Sequence, residues 1–209
     1  MSQLERLSKI MHRLRRECPW DAKQTHRSLV KHLIEETAET VDAIEEGDDE
    51  HLVEELGDVL LQVFFHAEIA SQERRFDIED VARAICDKLV HRHPWVFEGQ
   101  LPPSDVYQAW EARKDADKKR TSCLDGIPAA MPALARANKV VYRARSKGVD
   151  VELADDEISG DVGEKILDLV ERAQASGIDA EQSLRDALRS LEKRIRQAEG
   201  VDDMNRPAR

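Results

Sequence analysis

The segment from Leu52 to Ala70 constrains the fold more than any other part of the chain. A helix built from it is apolar round nearly its whole circumference, and helices of that kind are buried. Its apolar positions are Leu52, Val53, Leu56, Val59, Leu60, Leu61, Val63, Phe64, Phe65, Ala67, Ile69 and Ala70. The segment therefore predicts a central helix that neighbouring helices or a second subunit must cover.

The same helix carries one narrow polar seam. Its members stand at positions i, i+3, i+7 and i+11, a spacing that keeps them on one face; they are Glu55, Asp58, Gln62 and His66. Gly57, beside the seam, leaves room for another backbone to approach. Because buried carboxylates are costly without a compensating charge, the seam predicts a bound cation.

The rest of the chain also has helical periodicity, and no alternation typical of strands is seen. Aromatic residues make up 4% and charged residues 36% of the chain, a balance typical of all-α proteins. The expected helices cover about 4–17, 25 or 28 to 47, 52–71, 77–93, 104–110, 132–147 and the region 162–199. The stretch DADKKRTSCLDGIP predicts a charged linker, closed by Gly126 and Pro128.

Charge and composition exclude several classes of protein. The formal net charge is −11, which argues against direct binding to nucleic acid or to anionic membranes. No stretch is apolar for long enough to cross a membrane, and residues 1–17 lack the apolar core of a signal peptide. Cys18, Cys86 and Cys123 are far apart in the sequence and form no CxxC pair, so we expect reduced thiols. The expected localisation is cytoplasmic.

A second acidic cluster precedes the seam. Glu35, Glu36 and Glu39 fall within an arc of about 100° on the predicted helix 25–47. Taken alone, the cluster is typical of a solvated helix face. If this face packs toward the seam, however, five carboxylates converge, and oxygen-only ligation suits Mg²⁺ or Mn²⁺. A di-iron bundle is disfavoured, since no histidine follows a glutamate at the Glu-x-x-His spacing.

Two cations on the predicted helix 77–93 complement the carboxylates. Lys88 and Arg92 are four residues apart and fall within an apolar stripe. Such side chains commonly extend their charged ends from the edge of a core to solvent. Beside an acidic metal site, they also form a plausible triphosphate clamp.

Five sequence blocks together carry a resemblance to a known family. CPWDAKQTHRSL, EETAE, EELGD, DKLVHRHPWVF and WEARK follow one another in this order. The set resembles the MazG family of all-α nucleoside triphosphate pyrophosphohydrolases, and the match covers roughly residues 1–120.

The resemblance implies a helical bundle that works as a homodimer and hydrolyses nucleoside triphosphates with Mg²⁺, for which Mn²⁺ could substitute. The EExxE and ExxD motifs would hold the metal, and we expect Glu36, Glu39, Glu55 and Asp58 as ligands. Glu35 is the expected catalytic residue, which would orient or deprotonate the attacking water. By the same comparison, Lys88 and Arg92 resemble the phosphate-binding pair. Trp110 resembles an aromatic residue beside the nucleotide, although a packing role at the edge of the bundle fits it equally.

The second half of the chain departs from the two-domain pattern of many MazG proteins. PALARANKVVYRARSKGVD resembles the start of a second repeat, but the acidic helix that should follow is missing. Asp161 and Glu164 stand where that repeat would carry ELGD, and Ser190 stands at the position matching Lys88. We therefore expect a catalytic domain at 1–120 and a degenerate helical repeat at 121–209.

Two functions remain open at this point. The first is hydrolysis of a nucleoside triphosphate to a monophosphate and pyrophosphate, in housekeeping or control of the nucleotide pool. The second is a non-catalytic bundle that senses nucleotides or binds a partner while keeping the fold and the metal. The spacing of the residues does not identify the base or the sugar of the substrate.

Overall fold

The computed structural model describes residues 1–154, 156 and 158–201. The described part of the chain is helical and contains no strand, which confirms the predicted all-α class. The helices are α1 (Gln3–Glu17), α2 (Pro19–Lys23), α3 (Val30–Glu46), α4 (Asp49–Gln72), α5 (Ile78–Arg92), α6 (Pro94–Phe97), α7 (Val106–Asp117), α8 (Ala133–Ser146), α9 (Val162–Ala175) and α10 (Ala180–Ala198). None of these helices is long and apolar enough to cross a membrane.

The chain divides into two compact units, and the division falls within α7. The first unit comprises Met1–Trp110, and the second begins at Glu111. The assignment of 1–120 to a catalytic domain and of 121–209 to a degenerate repeat stays a prediction.

In the first unit, local sequence signals determine where most helices begin and end. The Asp77 carboxylate accepts a hydrogen bond from the Asp80 amide, and the Asp80 carboxylate accepts one from the Asp77 amide, so α5 begins with a capping box. Gly47 ends α3 with a φ of 73°, a left-handed conformation that glycine adopts without strain. Pro19 does stop α1, but it also occupies the first position of α2, a short helix that the sequence prediction missed.

The core of the first unit lies between α1, α3 and α4. Met11, Leu29, Phe64, Phe65 and Ile69 are buried together there. The α3–α4 connection is only two residues long, so the two helices run antiparallel and pack along much of their length. This hairpin carries both acidic motifs.

Within a single chain, α4 is not buried all round. Val53 is 72% exposed and Leu56 is half exposed. A Cβ added at Gly57 would meet no atom of the described residues within 4 Å, so none of their backbone from outside α4 approaches it. The polar seam, in contrast, is largely covered, because it faces α3. One apolar face of α4 is therefore left without a partner within the first unit.

The predicted linker is also wrong in part. Residues 115–117 belong to α7, and Cys123, Leu124 and Ile127 are buried in the core of the second unit. The buried Arg143 guanidinium donates hydrogen bonds to the carbonyl oxygens of Cys123 and Asp125, which holds this loop against α8. The apolar residues within this polar stretch indicated burial, but the prediction of a linker did not take them into account.

The C-terminal helical region is divided in two. Gly177 has a φ of 70° and separates α9 from α10, and Asp179 caps the second of these helices.

The three cysteines are unpaired, as predicted, and burial raises the pKa of the Cys123 thiol to about 12. The acidic stretch before α9 contains Asp155 and Glu157, which lie outside the described residues.

Candidate metal and phosphate site

The α3–α4 hairpin brings together three of the predicted carboxylates. One oxygen each from Glu36, Glu39 and Glu55 lies within 4.8 Å of the others. Glu36 and Glu39 are three residues apart on α3 and so lie on one face of that helix. Glu55 reaches them from α4, because the polar seam of α4 faces α3.

Glu55 is the most deeply placed member of the cluster. Only 8% of the residue is exposed. One carboxylate oxygen lies 3.3 Å from Nε2 of His51, one turn earlier on α4. The other oxygen is buried and has no hydrogen-bond partner among the described residues. An ionised oxygen left in this state is costly, so the position favours a cation beside it.

The electrostatics of Glu36 point the same way. Burial, followed by the negative charges of Asp58 and Glu39, raises the pKa of Glu36 above its ordinary value. Asp58 does not belong to the group of three converging oxygens, but it is close enough to act on one of them through its charge. The predicted ligands thus form a group of three with Asp58 beside it.

The donor set fits a hard divalent cation. The converging atoms are all carboxylate oxygens, and neither sulfur nor imidazole nitrogen is among them. Mg²⁺ and Mn²⁺ prefer such ligands, whereas zinc sites generally include histidine or cysteine. The unpartnered oxygen of Glu55 supplies an independent reason for a positive charge at this position.

Glu35 precedes Glu36 in the sequence but contributes no oxygen to this group. Its side chain is exposed, and Oε2 lies 3.4 Å from Nδ1 of His32 on the same helix. His32 in turn packs edge-on against Trp20, with ring centroids 5.9 Å apart. Sequence analysis did not identify His32 or His51 as neighbours of the acidic residues. Their spacings of three and four residues from Glu35 and Glu55 were the available signal.

The predicted cations on α5 differ in their surroundings. Lys88 is exposed, whereas Arg92 is 6% exposed and its guanidinium lies 5.7 Å from the centre of the Trp110 ring. Tyr107 packs on the same indole, with ring centroids 6.4 Å apart. The structure thus places Arg92 and Trp110 together and leaves the Lys88 side chain exposed.

Asp161 and Glu164 in the second unit have a structural role instead. The Asp161 carboxylate accepts a hydrogen bond from the Glu164 amide and caps α9. In the described part of the chain, the only group of metal-ligating side chains that converges is the one on the α3–α4 hairpin.

The fold and the carboxylate cluster define an all-α protein with a candidate divalent-cation site on a helical hairpin. The family model described as the MazG nucleotide pyrophosphohydrolase domain matches residues 24–97, which include both acidic motifs. A nucleoside triphosphate pyrophosphohydrolase of Escherichia coli K12 is 36% identical, over 96% of this chain and 89% of its own length. The chain therefore belongs to the MazG family.

Other relatives differ in length. A nucleoside triphosphate pyrophosphohydrolase of Mycobacterium tuberculosis is 40% identical over 91% of this chain, which spans only 56% of that protein. The crystal structure of a MazG-related protein from Thermotoga maritima aligns with a TM-score of 0.46 and 32% identity. That alignment covers 53% of this chain and 98% of the Thermotoga chain.

Proposed function

We propose that this protein hydrolyses nucleoside triphosphates to nucleoside monophosphates and pyrophosphate, with Mg²⁺ as its cofactor. The observation that carries the proposal is the convergence of carboxylate oxygens from Glu36, Glu39 and Glu55. One oxygen of Glu55 is buried and lacks a hydrogen-bond partner among the described residues. The names of the Escherichia coli and Mycobacterium tuberculosis relatives support the same activity.

Glu36, Glu39 and Glu55 would hold the metal, and Asp58 would complete its oxygen ligands. When bound there, Mg²⁺ neutralises phosphate charge and lowers the pKa of a coordinated water; Mn²⁺ has similar ligand preferences. The hairpin packing holds the three glutamates in place before substrate arrives. The Thr40 hydroxyl contributes to that packing, since its Oγ1 lies 3.5 Å from the carbonyl oxygen of Glu55 on α4.

Glu35 is the proposed general base. Its exposed carboxylate is adjacent in sequence to a metal ligand and is not one of the converging oxygens. It would accept a proton from the water that attacks the α-phosphorus, while the bond to the bridging oxygen breaks and pyrophosphate leaves. Lys88 and Arg92 would stabilise the negative charge that develops on the pyrophosphate.

The proposed assembly is a homodimer formed through the first unit. Ile34 on α3 is 66% exposed, and Val53 on α4 is the most exposed apolar residue of the hairpin. Large apolar faces of this kind mark protein interfaces. A second copy that covers them would also shield the carboxylates from solvent. A role in control of the nucleotide pool is consistent with the proposed reaction.

The direct test is to incubate the purified full-length chain with each common NTP and dNTP, with and without Mg²⁺, and to measure monophosphate and pyrophosphate. We expect equal amounts of the two products, and chelation should stop the reaction. Release of orthophosphate as the first product would contradict cleavage between the α- and β-phosphates. Nucleotide binding without any product would identify a sensor.

A further inference from the structure

The polar seam of α4 continues beyond the carboxylates to Gln62 and His66. Eight residues separate Asp58 from His66, which places them about 12 Å apart along the helix axis. Both lie on the face of α4 that turns toward α3. None of the roles proposed above uses this distal half of the seam.

A chain of three side chains determines which nitrogen of His66 carries the proton. Nη2 of Arg75 lies 2.5 Å from Nε2 of His26, and Nδ1 of His26 lies 2.7 Å from Nδ1 of His66. Arginine is always a donor, so Nε2 of His26 must accept. The proton of His26 is therefore on Nδ1, from which it is donated to Nδ1 of His66.

His66 is consequently a neutral imidazole with its proton on Nε2. Burial, together with the nearby His26, lowers the pKa of His66, in agreement with a neutral ring. The two ring planes differ by only 6°, as an N–H···N hydrogen bond between them allows. Nε2 of His66 makes no hydrogen bond to any described residue, so its N–H is a donor of fixed position.

Gln62 supplies a second observation on the same seam. It is 4% exposed, and its side-chain oxygen has no hydrogen-bond partner in the described part of the chain. An unpaired buried acceptor typically costs about 1–3 kcal/mol. The seam thus contains a hydrogen-bond donor on His66 and an acceptor on Gln62, neither of which has a partner among the described residues. They are one helical turn apart and lie directly beyond the candidate metal site.

We propose that His66, with Gln62 beside it, forms a binding subsite for the nucleoside part of the substrate. The inference rests on the proposed function, since it assumes that the α-phosphate is held at the carboxylates. From there, a nucleoside that extends about 12 Å along α4 toward its C-terminal end reaches His66. The Nε2–H group donates to a hydrogen-bond acceptor of the sugar or the base. Arg75 and His26 are positioning residues that keep this donor in place.

The test measures binding of the nucleoside part and binding of the phosphates separately. Calorimetric titration of the full-length chain, with Mg²⁺ present, measures binding of the four ribonucleoside monophosphates and, separately, of pyrophosphate. We expect His66→Phe to weaken monophosphate binding by about tenfold, the typical effect of one lost hydrogen bond. Pyrophosphate binding should stay unchanged. His66→Gln, which retains an N–H donor, should recover part of the loss.

Two further variants control the interpretation. His26→Phe leaves His66 in place but removes the partner that sets its tautomer, so we expect a smaller loss of monophosphate affinity at an unchanged melting temperature. His12→Phe changes a histidine on α1 that pairs with Glu68 and should behave as wild type. Repetition with 2′-deoxyribonucleoside monophosphates tests one acceptor, because a contact to the 2′-hydroxyl predicts that the effect of His66→Phe disappears.

Wild-type monophosphate binding by a folded His66→Phe variant would overturn the subsite. Equal weakening of monophosphate and pyrophosphate binding would also overturn it, because a general structural role predicts that result. Failure of the proposed function has a different signature, namely a wild-type protein that yields no monophosphate and pyrophosphate from any triphosphate.

Discussion

At the scale of single residues, the carboxylates of the hairpin are arranged for a cation rather than for stability. Burial and the surrounding negative charges raise the pKa of Glu36, and the buried oxygen of Glu55 has no hydrogen-bond partner among the described residues. A group of ionised oxygens without a counter-ion destabilises the fold through mutual repulsion. Removal of one charge should therefore cost activity and not stability.

Glu39→Gln and Asp58→Asn test this expectation. Each should lower kcat by at least about 100-fold, since changes in the outer shell of metal sites alone commonly cost 10–100-fold. The melting temperature of the metal-free variants should equal or exceed that of the wild type. The check combines steady-state kinetics with thermal unfolding in a chelator. Wild-type rates in either variant with Mg²⁺ present would remove that residue from the mechanism.

At the scale of elements, short loops with fixed hydrogen bonds hold the helices of the second unit together. The loop at 121–127 is held by hydrogen bonds within itself and by one to Glu199. Its Asp125 carboxylate accepts hydrogen bonds from the amides of Thr121 and Ser122, and the Cys123 amide donates to Glu199 after α10. This loop therefore holds α8 and α10 together, as the two-residue connection holds α3 against α4.

Asp125→Ala should lower the free energy of unfolding of the second unit by roughly 1–3 kcal/mol at neutral pH, because it leaves two amides without their acceptor. Asp125→Asn should recover part of that loss. Chemical denaturation followed by circular dichroism measures both. An unchanged midpoint for the alanine variant would contradict the role assigned to this carboxylate.

The same residue predicts an acid dependence. Burial opposes ionisation of Asp125, but the hydrogen bonds from Ser122 and Thr121 outweigh it and hold the pKa of the carboxyl below its ordinary value of 3.8. A carboxyl with a lowered pKa adds stability that is fully present above the ordinary value and is lost as the pH falls through the lowered one. The stability difference between wild type and Asp125→Ala should therefore shrink below about pH 4.

The N-terminal end of α9 offers a test of the prediction that the second unit carries no active site. Asp161 caps the helix, and Glu164 lies in its first turn. The double variant Asp161→Ala/Glu164→Ala should lose helix stability of about 0.5–2 kcal/mol, as is typical of a lost N-cap. Its kcat should stay nearly unchanged. A loss of kcat of about tenfold, or about 1.4 kcal/mol in barrier, with fold and assembly intact would contradict a single site.

At the scale of the whole molecule, the exposed apolar face of the α3–α4 hairpin is the feature that bears on assembly. A chain with a net charge of −11 gains solubility from its charge, yet it exposes Ile34, Val53 and Leu56 on adjacent helices. Burial of such side chains against a second copy is favourable by roughly 25 cal/mol per Å² of apolar area. The expected assembly is therefore an obligate dimer.

Val53→Lys should convert the dimer to a monomer, because burial of an unpaired ammonium group costs several kcal/mol. We expect association to weaken by at least about 100-fold. Glu54→Lys places the same charge one position away and is the matched control. Light scattering at micromolar concentration measures both variants. An active wild-type monomer, or a Val53→Lys dimer as stable as the control, would contradict this interface.

The sequence by itself determined the helical class, the beginning of α5, the end of α3 and the polar seam of α4, because each of these depends on local periodicity or on a capping residue. Only the tertiary structure decided that Glu36, Glu39 and Glu55 converge while Asp58 lies beside them, since that outcome depends on how α3 is rotated against α4. The tautomer of His66 likewise depends on Arg75 and His26, which a helical period cannot place. The loop at 121–127 looked like a linker because its composition is polar, and only packing against α8 and α10 made it part of a core.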